Sequence, residues 1–267
     1  IDIEEKDIEH EEQPFTITEL ERTLKGHTFQ VDSLTITPDG KIVSGDGVGT
    51  IRIFDLERGK VKVLRGRIGR VWALTITPDG KIVSGSDDHN IRIWDVERGK
   101  VKVLRGHTNR VMALTITPDG KIVSGGGLND DTIRIWDVER GKVKVLRGHT
   151  GQVNAITLTP DGKIVSTCED KTIRIWDVES GKVKVLRGHS AWMSALTMTP
   201  DGKIVFSDTD YDHTIQIWDV ERGKVKVVRG HTAYVRELTI TPNGKMISGS
   251  DDKTIRIWDV ERGKVKV

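Results

Sequence analysis

Ile255-Arg256-Ile257-Trp258-Asp259-Val260-Glu261-Arg262-Gly263-Lys264-Val265-Lys266-Val267 decides the fold of this chain. Ile255 and Ile257 alternate with Arg256, the period of two expected of a half-buried strand. Glu261-Arg262-Gly263 breaks the alternation with a turn signal, and Lys264-Val265-Lys266-Val267 alternates again. The stretch therefore predicts two short strands joined by a tight turn. It recurs through the chain with few changes, and Val267 closes its last copy.

The stretch belongs to a longer repeated unit. Thr-Pro-Asp-Gly-Lys-Ile-Val starts at Thr37, Thr77, Thr117, Thr159 and Thr199, and Thr-Pro-Asn-Gly-Lys-Met-Ile starts at Thr241. A glycine followed in most copies by histidine falls at Gly26, Gly66, Gly106, Gly148, Gly188 and Gly230, in steps of 40, 40, 42, 40 and 42 residues. In the first unit, residues 31–37 and 41–44 read as strands separated by the turn Pro38-Asp39-Gly40. A loop over residues 46–49 leads to Ile51 and Ile53, which face opposite to Thr50 and Arg52, and Lys60-Val61-Lys62-Val63 follows the turn Glu57-Arg58-Gly59. Four short antiparallel strands in about 40 residues make one propeller blade. The fourth strand forms the blade's outer edge, where lysines are expected as solvated protection against edge-to-edge pairing.

Composition narrows the function. The chain has 267 residues, 36% hydrophobic and 31% charged, with 42 Lys and Arg against 40 Asp and Glu. That is the composition of a soluble globular protein. The near balance gives no reason to invoke nucleic acid or a membrane as partner. The single cysteine, Cys168, fits a reducing compartment, and the expected location is cytoplasmic. No apolar run approaches the ~18 residues of a bilayer span, and residues 1–6 lack the features of a secretory signal. The chain begins with Ile1 rather than Met, so an upstream portion is expected to be missing from it. Residues 1–15 hold seven carboxylates against one lysine and are expected to form an acidic flexible segment or a linker.

The paired Gly-His and Trp-Asp signals at this spacing resemble the WD-repeat propeller family over residues 16–267. The resemblance implies an all-β fold of six four-stranded antiparallel blades around a central channel, with inner units near 26–64, 66–104, 106–146, 148–186, 188–228 and 230–267. It also implies a buried hydrogen-bond network of His, Ser or Thr, Asp and Trp within each blade. The matching sets are His107, Ser124, Asp130 and Trp136; His149, Ser166, Asp170 and Trp176; and His231, Ser248, Asp252 and Trp258. Blade five offers His189, Asp212 and Trp218 but has Phe206 in the serine's place. Blade two has Arg67 for His, beside Asp88 and Trp94. Blade one keeps His27 but has Val48 and Phe54 where Asp and Trp are expected, so it is predicted to be the least rigid. Seven candidate outer strands serve six inner units, because residues 19–24 and residues 264–267 both claim blade six. A six-bladed ring is expected, and a lost seventh blade is the alternative.

Differences between the copies cluster in two places: just after Gly-His, and in the loop after the second strand. In the family these positions surround the channel mouth, where partner peptides dock. The varied set comprises Arg70, Trp72, Arg110, Met112, Trp192, Tyr211, Tyr234 and Arg236, joined by the acids Asp32, Asp87, Glu169 and Asp251. Trp, Tyr and Arg dominate binding hot spots, and arginine can grip a carboxylate or phosphate with two hydrogen bonds. A protein or peptide with an apolar anchor and charged groups is the expected partner, bound by a monomeric scaffold. The alternative is drift in tolerant loops. Near-identity of the solvent-facing stretches also admits a recently amplified or engineered propeller with no natural ligand.

Enzymatic readings find little support. The chain has no nucleophile elbow, no phosphate-binding loop and no zinc-protease motif. His10, His89 and His213 lack metal-ligand spacing. Asp208, Asp210 and Asp212 alternate like the start of a calcium loop, but the required glycine and distal glutamate are missing. Cys168, placed in a varied loop beside Glu169 and Asp170, is a poor thiolate. No catalytic residue, cofactor or metal site is predicted.

Overall fold

The computed structural model of the protein describes residues 24–65, 69–187, 193–208, 213–241, 244–259 and 264–266. All regular structure among them is strand. Strands β1 (Val31–Ile36), β2 (Ile42–Asp46), β3 (Thr50–Asp55) and β4 (Lys60–Arg65) pair antiparallel in sequence order as one sheet. Five more sheets repeat that order up to β24 (Lys264–Lys266), giving a six-bladed β-propeller. The innermost strands are β1, β5 (Val71–Ile76), β9 (Val111–Ile116), β13 (Val153–Leu158), β17 (Met193–Met198) and β21 (Val235–Ile240).

The repeated turns explain the repeated residues. The N–H of Gly40 donates to the Thr37 carbonyl at 2.9 Å, and the N–H of Lys41 donates to Thr37 Oγ1 at 2.9 Å. Gly40 takes φ +80°, a conformation glycine adopts freely. Threonine, aspartate and glycine thus close the hairpin between the first two strands of a blade. In the next hairpin, the aspartate of Trp-Asp accepts the N–H three residues on, as Asp95 accepts from Arg98 at 3.0 Å and Asp137 from Arg140 at 2.9 Å. That aspartate is a turn cap and no part of the buried network.

Blades pack face to face through one recurring contact. In the first three seams the valine opening the inner strand sits on the glycine of the preceding blade's second strand, while Thr167 and Ser207 hold the glycine's place in blades four and five. A Cβ on Gly45 would lie 2.6 Å from Val71 Cγ1, and one on Gly85 would lie 2.6 Å from Val111 Cγ1. Around this contact, Val43, Ile51 and Ile53 of blade one pack against Val71 and Ile82 of blade two. Equivalent cores join blades two and three, three and four, four and five, and five and six. The outer-strand lysines correct the expectation of purely protective surface. Lys62 Nζ donates to the Val96 carbonyl of the next blade at 2.7 Å, and Lys102, Lys144 and Lys184 do the same to Val138, Val178 and Val220.

The faces of blade one and blade six that look away from these cores are different. Val31 is 46% exposed and Leu34 62%, while Val71 and Val111 are fully buried. Ile255 is 61% exposed, while Ile51, Ile91 and Ile133 are fully buried. Among the described residues, nothing stands within 4 Å of a Cβ built on Gly249, the counterpart of Gly45 and Gly85. The outer position of blade six is held by β24, paired with β23 (Ile255–Asp259). The competing segment, residues 19–23, and the acidic segment 1–15 lie outside the described residues.

Candidate binding rim

Each inner strand starts with a β-bulge. In blade two Val71 pairs with Ser86 and Ala73 with Gly85, which leaves Trp72 outside the ladder. Asp32, Met112, Asn154 and Arg236 are left out in the same way. A bulge re-aims a side chain at the cost of one ladder position. One backbone bond then ties each bulge to the loop after the second strand. The N–H of Asp87 donates to the Arg70 carbonyl at 3.1 Å, Gly127 to Arg110 at 2.7 Å, Glu169 to Gln152 at 3.0 Å and Asp251 to Tyr234 at 2.9 Å. The two varied stretches therefore share one rim.

The rim residues of blades one to four form a continuous chain. Arg70 grips Asp32 of the preceding blade with Nε at 2.8 Å and a terminal nitrogen at 2.5 Å. Its guanidinium lies 4.1 Å from the Trp72 ring centroid, and Trp72 Nε1 donates to Asp87 at 2.5 Å. Arg110, from blade three, stands 5.4 Å from the same ring and donates to Gln152 Oε1 at 3.1 Å. Gln152 in turn donates to Asn154 at 2.9 Å. On blade six Arg236 binds both oxygens of Asp251 and stands 5.4 Å from Tyr234, which meets the His213 ring edge-on at 5.3 Å. The hydrogen bond from Arg236 holds the Asp251 carboxyl below its usual range. The two-pronged capacity of Arg70 and Arg236 is therefore already used by the protein's own carboxylates. Arg110 has no carboxylate partner among the described residues, and its Nε is buried with no hydrogen-bond partner among them. Met112 and Glu169 are half-buried on this rim. Trp192 and Tyr211 lie outside the described residues.

Beneath the rim, the His–Ser–Asp–Trp sets of blades three, four and six stiffen the blades. His107 Nδ1 lies 2.9 Å from Asp130, its Nε2 lies 2.7 Å from Ser124 Oγ, and Trp136 Nε1 donates to the same Oγ at 2.8 Å. His149, Asp170, Ser166 and Trp176 match it, as do His231, Asp252, Ser248 and Trp258. A carboxylate only accepts, so Nδ1 donates to the aspartate, and the serine oxygen accepts from tryptophan. Burial, opposed by Asp170, pushes the His149 pKa down. Burial disfavours charge on Asp170 as well, but hydrogen bonds from Thr172 and His149 overcome it and hold its pKa at about 2. The same balance holds Asp130 and Asp252 well below the carboxylate range.

Blade one corrects the expectation of a missing carboxylate, though Phe54 leaves it without the tryptophan donor. Asp46, two residues before Val48, reaches His27 Nδ1 at 2.7 Å, while His27 Nε2 lies 2.7 Å from Ser44. Asp46 also accepts the N–H groups of Val48 and Thr50, at 3.1 and 2.8 Å, and is almost fully buried. The loop loses its aspartate at one position and regains it at another, with Phe54 filling the tryptophan's place. Blade five solves the problem with a different pair of changes. Phe206 is fully buried and packs edge-on against Trp218 at 5.2 Å. Trp218 Nε1 donates instead to Gln216 at 2.8 Å, where the other blades carry arginine. In blade two Trp94 still donates to Ser84 at 2.9 Å, and Asp88 pairs with Arg92 at 2.6 Å. Arg67, His189 and Asp212 lie outside the described residues.

Cys168 is not in a loop. It ends β14 (Ile164–Cys168), is fully buried, and donates to the Gly151 carbonyl at 3.1 Å. Burial, reinforced by Asp170, pushes its thiol up to about 12. Ligand-capable atoms of His149, Cys168 and Asp170 lie within 4.8 Å of one another, but His149 and Asp170 are already bonded to each other and the thiol keeps its proton. Clefts also lie away from the rim, between the Thr-Pro-Asp-Gly hairpins of successive blades. They are lined by repeated framework such as Pro78, Lys81, Asp119 and Arg140, and they carry none of the variation of the rim.

Six antiparallel blades carrying one varied rim define a protein of the propeller class. The chain belongs to the WD40 family: the model of the WD domain, G-beta repeat, matches residues 18–55, 58–95, 98–137, 140–177, 180–219 and 222–259. Propellers of this family are generally non-catalytic scaffolds for protein interaction. Comparison with curated proteins finds no match.

Proposed function

We propose that the protein is a non-enzymatic scaffold that binds an extended peptide or protein segment on the rim of blades one to four. The observation that carries this reading is the pairing of Trp72 with Arg110, an aromatic ledge beside a cation that no carboxylate of the described rim neutralises. A ligand carboxylate suits Arg110, and an apolar side chain suits the surface of Trp72 and Met112. A lone, buried Cys168 suits a monomer working in the cytoplasm. The test is selection from a displayed random-peptide library on the parent chain and on a Trp72→Ala/Arg110→Ala variant of unchanged thermal midpoint. The expected result is an acid-containing motif enriched by the parent alone, with affinity about 30-fold weaker on the variant, as for a loss of ~2 kcal/mol. Equal enrichment on both would remove this rim as the site. Trp192→Ala and Tyr234→Ala, added in turn, extend the map around the mouth.

A second reading, an engineered or amplified propeller with a structural purpose, draws on the near-identity of Val-Glu-Arg-Gly-Lys-Val-Lys-Val in successive units. The lysine bonds between blades weaken it, because they give part of that repetition a role in folding.

A further inference from the structure

Taking the rim of blades one to four as the binding site, we infer that its ligand is the free C-terminus of a peptide with an apolar last residue, the terminal carboxylate being held between Arg110 and Asn154. The direction of a hydrogen-bond relay carries this. Arginine only donates, so the Gln152 oxygen, 3.1 Å from Arg110 Nη2, is fixed as the acceptor. The Gln152 amide nitrogen then faces Asn154 and donates to its Oδ1 at 2.9 Å. That leaves the Asn154 amide nitrogen at the far end. Both links point the same way, from blade three into blade four, with Gln152 buried between them.

Both ends of the relay lack an acceptor. Arg110 Nε and Asn154 Nδ2 are buried with no hydrogen-bond partner among the described residues, a cost that an incoming acceptor removes. The neighbouring oxygens are already used. Asn109 Oδ1 accepts the Arg110 N–H at 2.8 Å, and the Arg110 and Gln152 carbonyls accept from Gly127 and Glu169. Glu169 and Asp131, the acids of the adjoining loops, bond neither nitrogen. The stretch therefore calls for acceptors alone. A carboxylate supplies two in one plane, with the charge that suits arginine. It reaches the two nitrogens by turning the side chains that cover them, a common change at interfaces.

Apolar surface adjoins the cation. The Arg110 stem crosses Gly127, where a Cβ would lie 2.5 Å from Arg110 Cγ, and the next residue, Leu128, is 48% exposed. The Trp72 ring centroid is 5.4 Å from the guanidinium. A C-terminal residue carries its carboxylate and its side chain on one carbon, so it covers cation and ledge together. An internal Asp or Glu spends its side chain on the cation, and its immediate neighbours in an extended segment point the opposite way. The arrangement thus favours the chain end.

The experiment pans the full chain against two random-peptide libraries, one displayed with free C-termini and one with both peptide ends joined to carrier protein. The expected result is enrichment from the free-ended library of sequences ending in an aliphatic or aromatic residue. Amidating the last carboxylate of an enriched peptide should weaken its binding more than about 30-fold. Two near-isosteric variants locate the carboxylate. Asn154→Asp sets a like charge against it, and Gln152→Glu gives Arg110 an internal partner. Each should weaken the acid peptide more than about tenfold and leave the amide peptide unchanged, a charge selectivity that a merely structural role would not produce. If either variant loses its thermal midpoint, the acid and amide peptides compared on the parent chain decide the matter. Enrichment confined to the carrier-joined library, or amide binding within about threefold of the acid, would overturn the inference and leave the rim as the site of an internal motif. Unchanged acid binding on either folded variant would overturn it as well. No enrichment from either library would remove the rim reading and this inference together.

Discussion

Ile133 and Ile255 hold the same place in their repeats and sit in the same local sequence, Ile-Arg-Ile-Trp-Asp. One is fully buried between blades three and four, and the other is 61% exposed at the edge of blade six. Val71 and Val31 show the same split. Burial in this molecule is thus a property of the seam and not of the residue. Each blade supplies half of two cores, and a half-core has no value until its neighbour arrives. The sequence is tuned for closed seams everywhere, including the place where the seam is open.

The largest effects come from testing that contrast directly. Ile133→Ala should cost about 2–5 kcal/mol in urea unfolding, as for a buried aliphatic deletion, and Ile255→Ala less than about 0.5 kcal/mol. Equal losses would mean that the seam between blades six and one closes in solution. Gly85→Ala should cost about 1–3 kcal/mol by forcing a methyl into Val111, whereas Gly249→Ala should be neutral or slightly stabilising.

Blade one borders the open seam and has a packed neighbour on one side only, so its internal bonds matter more. Asp46→Ala should cost about 1–3 kcal/mol by stranding His27 and two backbone N–H groups. The double change Asp46→Ser/Val48→Asp, which restores the spacing of blade two, should recover much of that loss in thermal unfolding.

Blade four lies between two closed seams, and acid should probe it. The Asp170 carboxyl is held at about 2 in the folded protein, so its contribution is complete above the ordinary carboxylate value. That contribution is lost as pH falls from about 4 toward 2, and amounts to roughly 2 kcal/mol. His149 acts in the same direction at milder pH. Its folded pKa is lowered, so below about 6.5 the unfolded chain takes up a proton that the folded chain refuses. Thermal midpoints should therefore fall in two stages on acidification, and Asp170→Asn should shrink the lower one, to which Asp130 and Asp252 also contribute. Smallest of all, Lys102→Met removes an exposed bond across a closed seam and should shift stability by less than about 1 kcal/mol.

The blade was legible because its signals are local. Ile255 and Ile257 show the strand period, Thr37-Pro38-Asp39-Gly40 shows the turn, and the spacing of Gly-His shows the unit. The network of blade three was legible for the same reason. What escaped depends on relations between residues. Asp46 takes over from the position of Val48 because a carboxylate two residues earlier can reach the same imidazole, which no fixed spacing reveals. Gln216 answers Phe206 across a strand pair. Lys62 looks like solvated edge until the Val96 carbonyl is seen beside it. On the rim, the identity of the varied residues was readable, but their internal pairing was not, since Arg70 and Asp32 meet only when blades one and two pack.

The β-bulge at the head of each inner strand has a further consequence. A side chain excluded from the ladder can change without disturbing the register of its neighbours. Asp32, Trp72, Met112, Asn154 and Arg236 are five unlike residues on almost one scaffold, as though each blade had one writable character. Recognition in such a molecule is spelled around a circle, and a new specificity needs new letters but no new architecture.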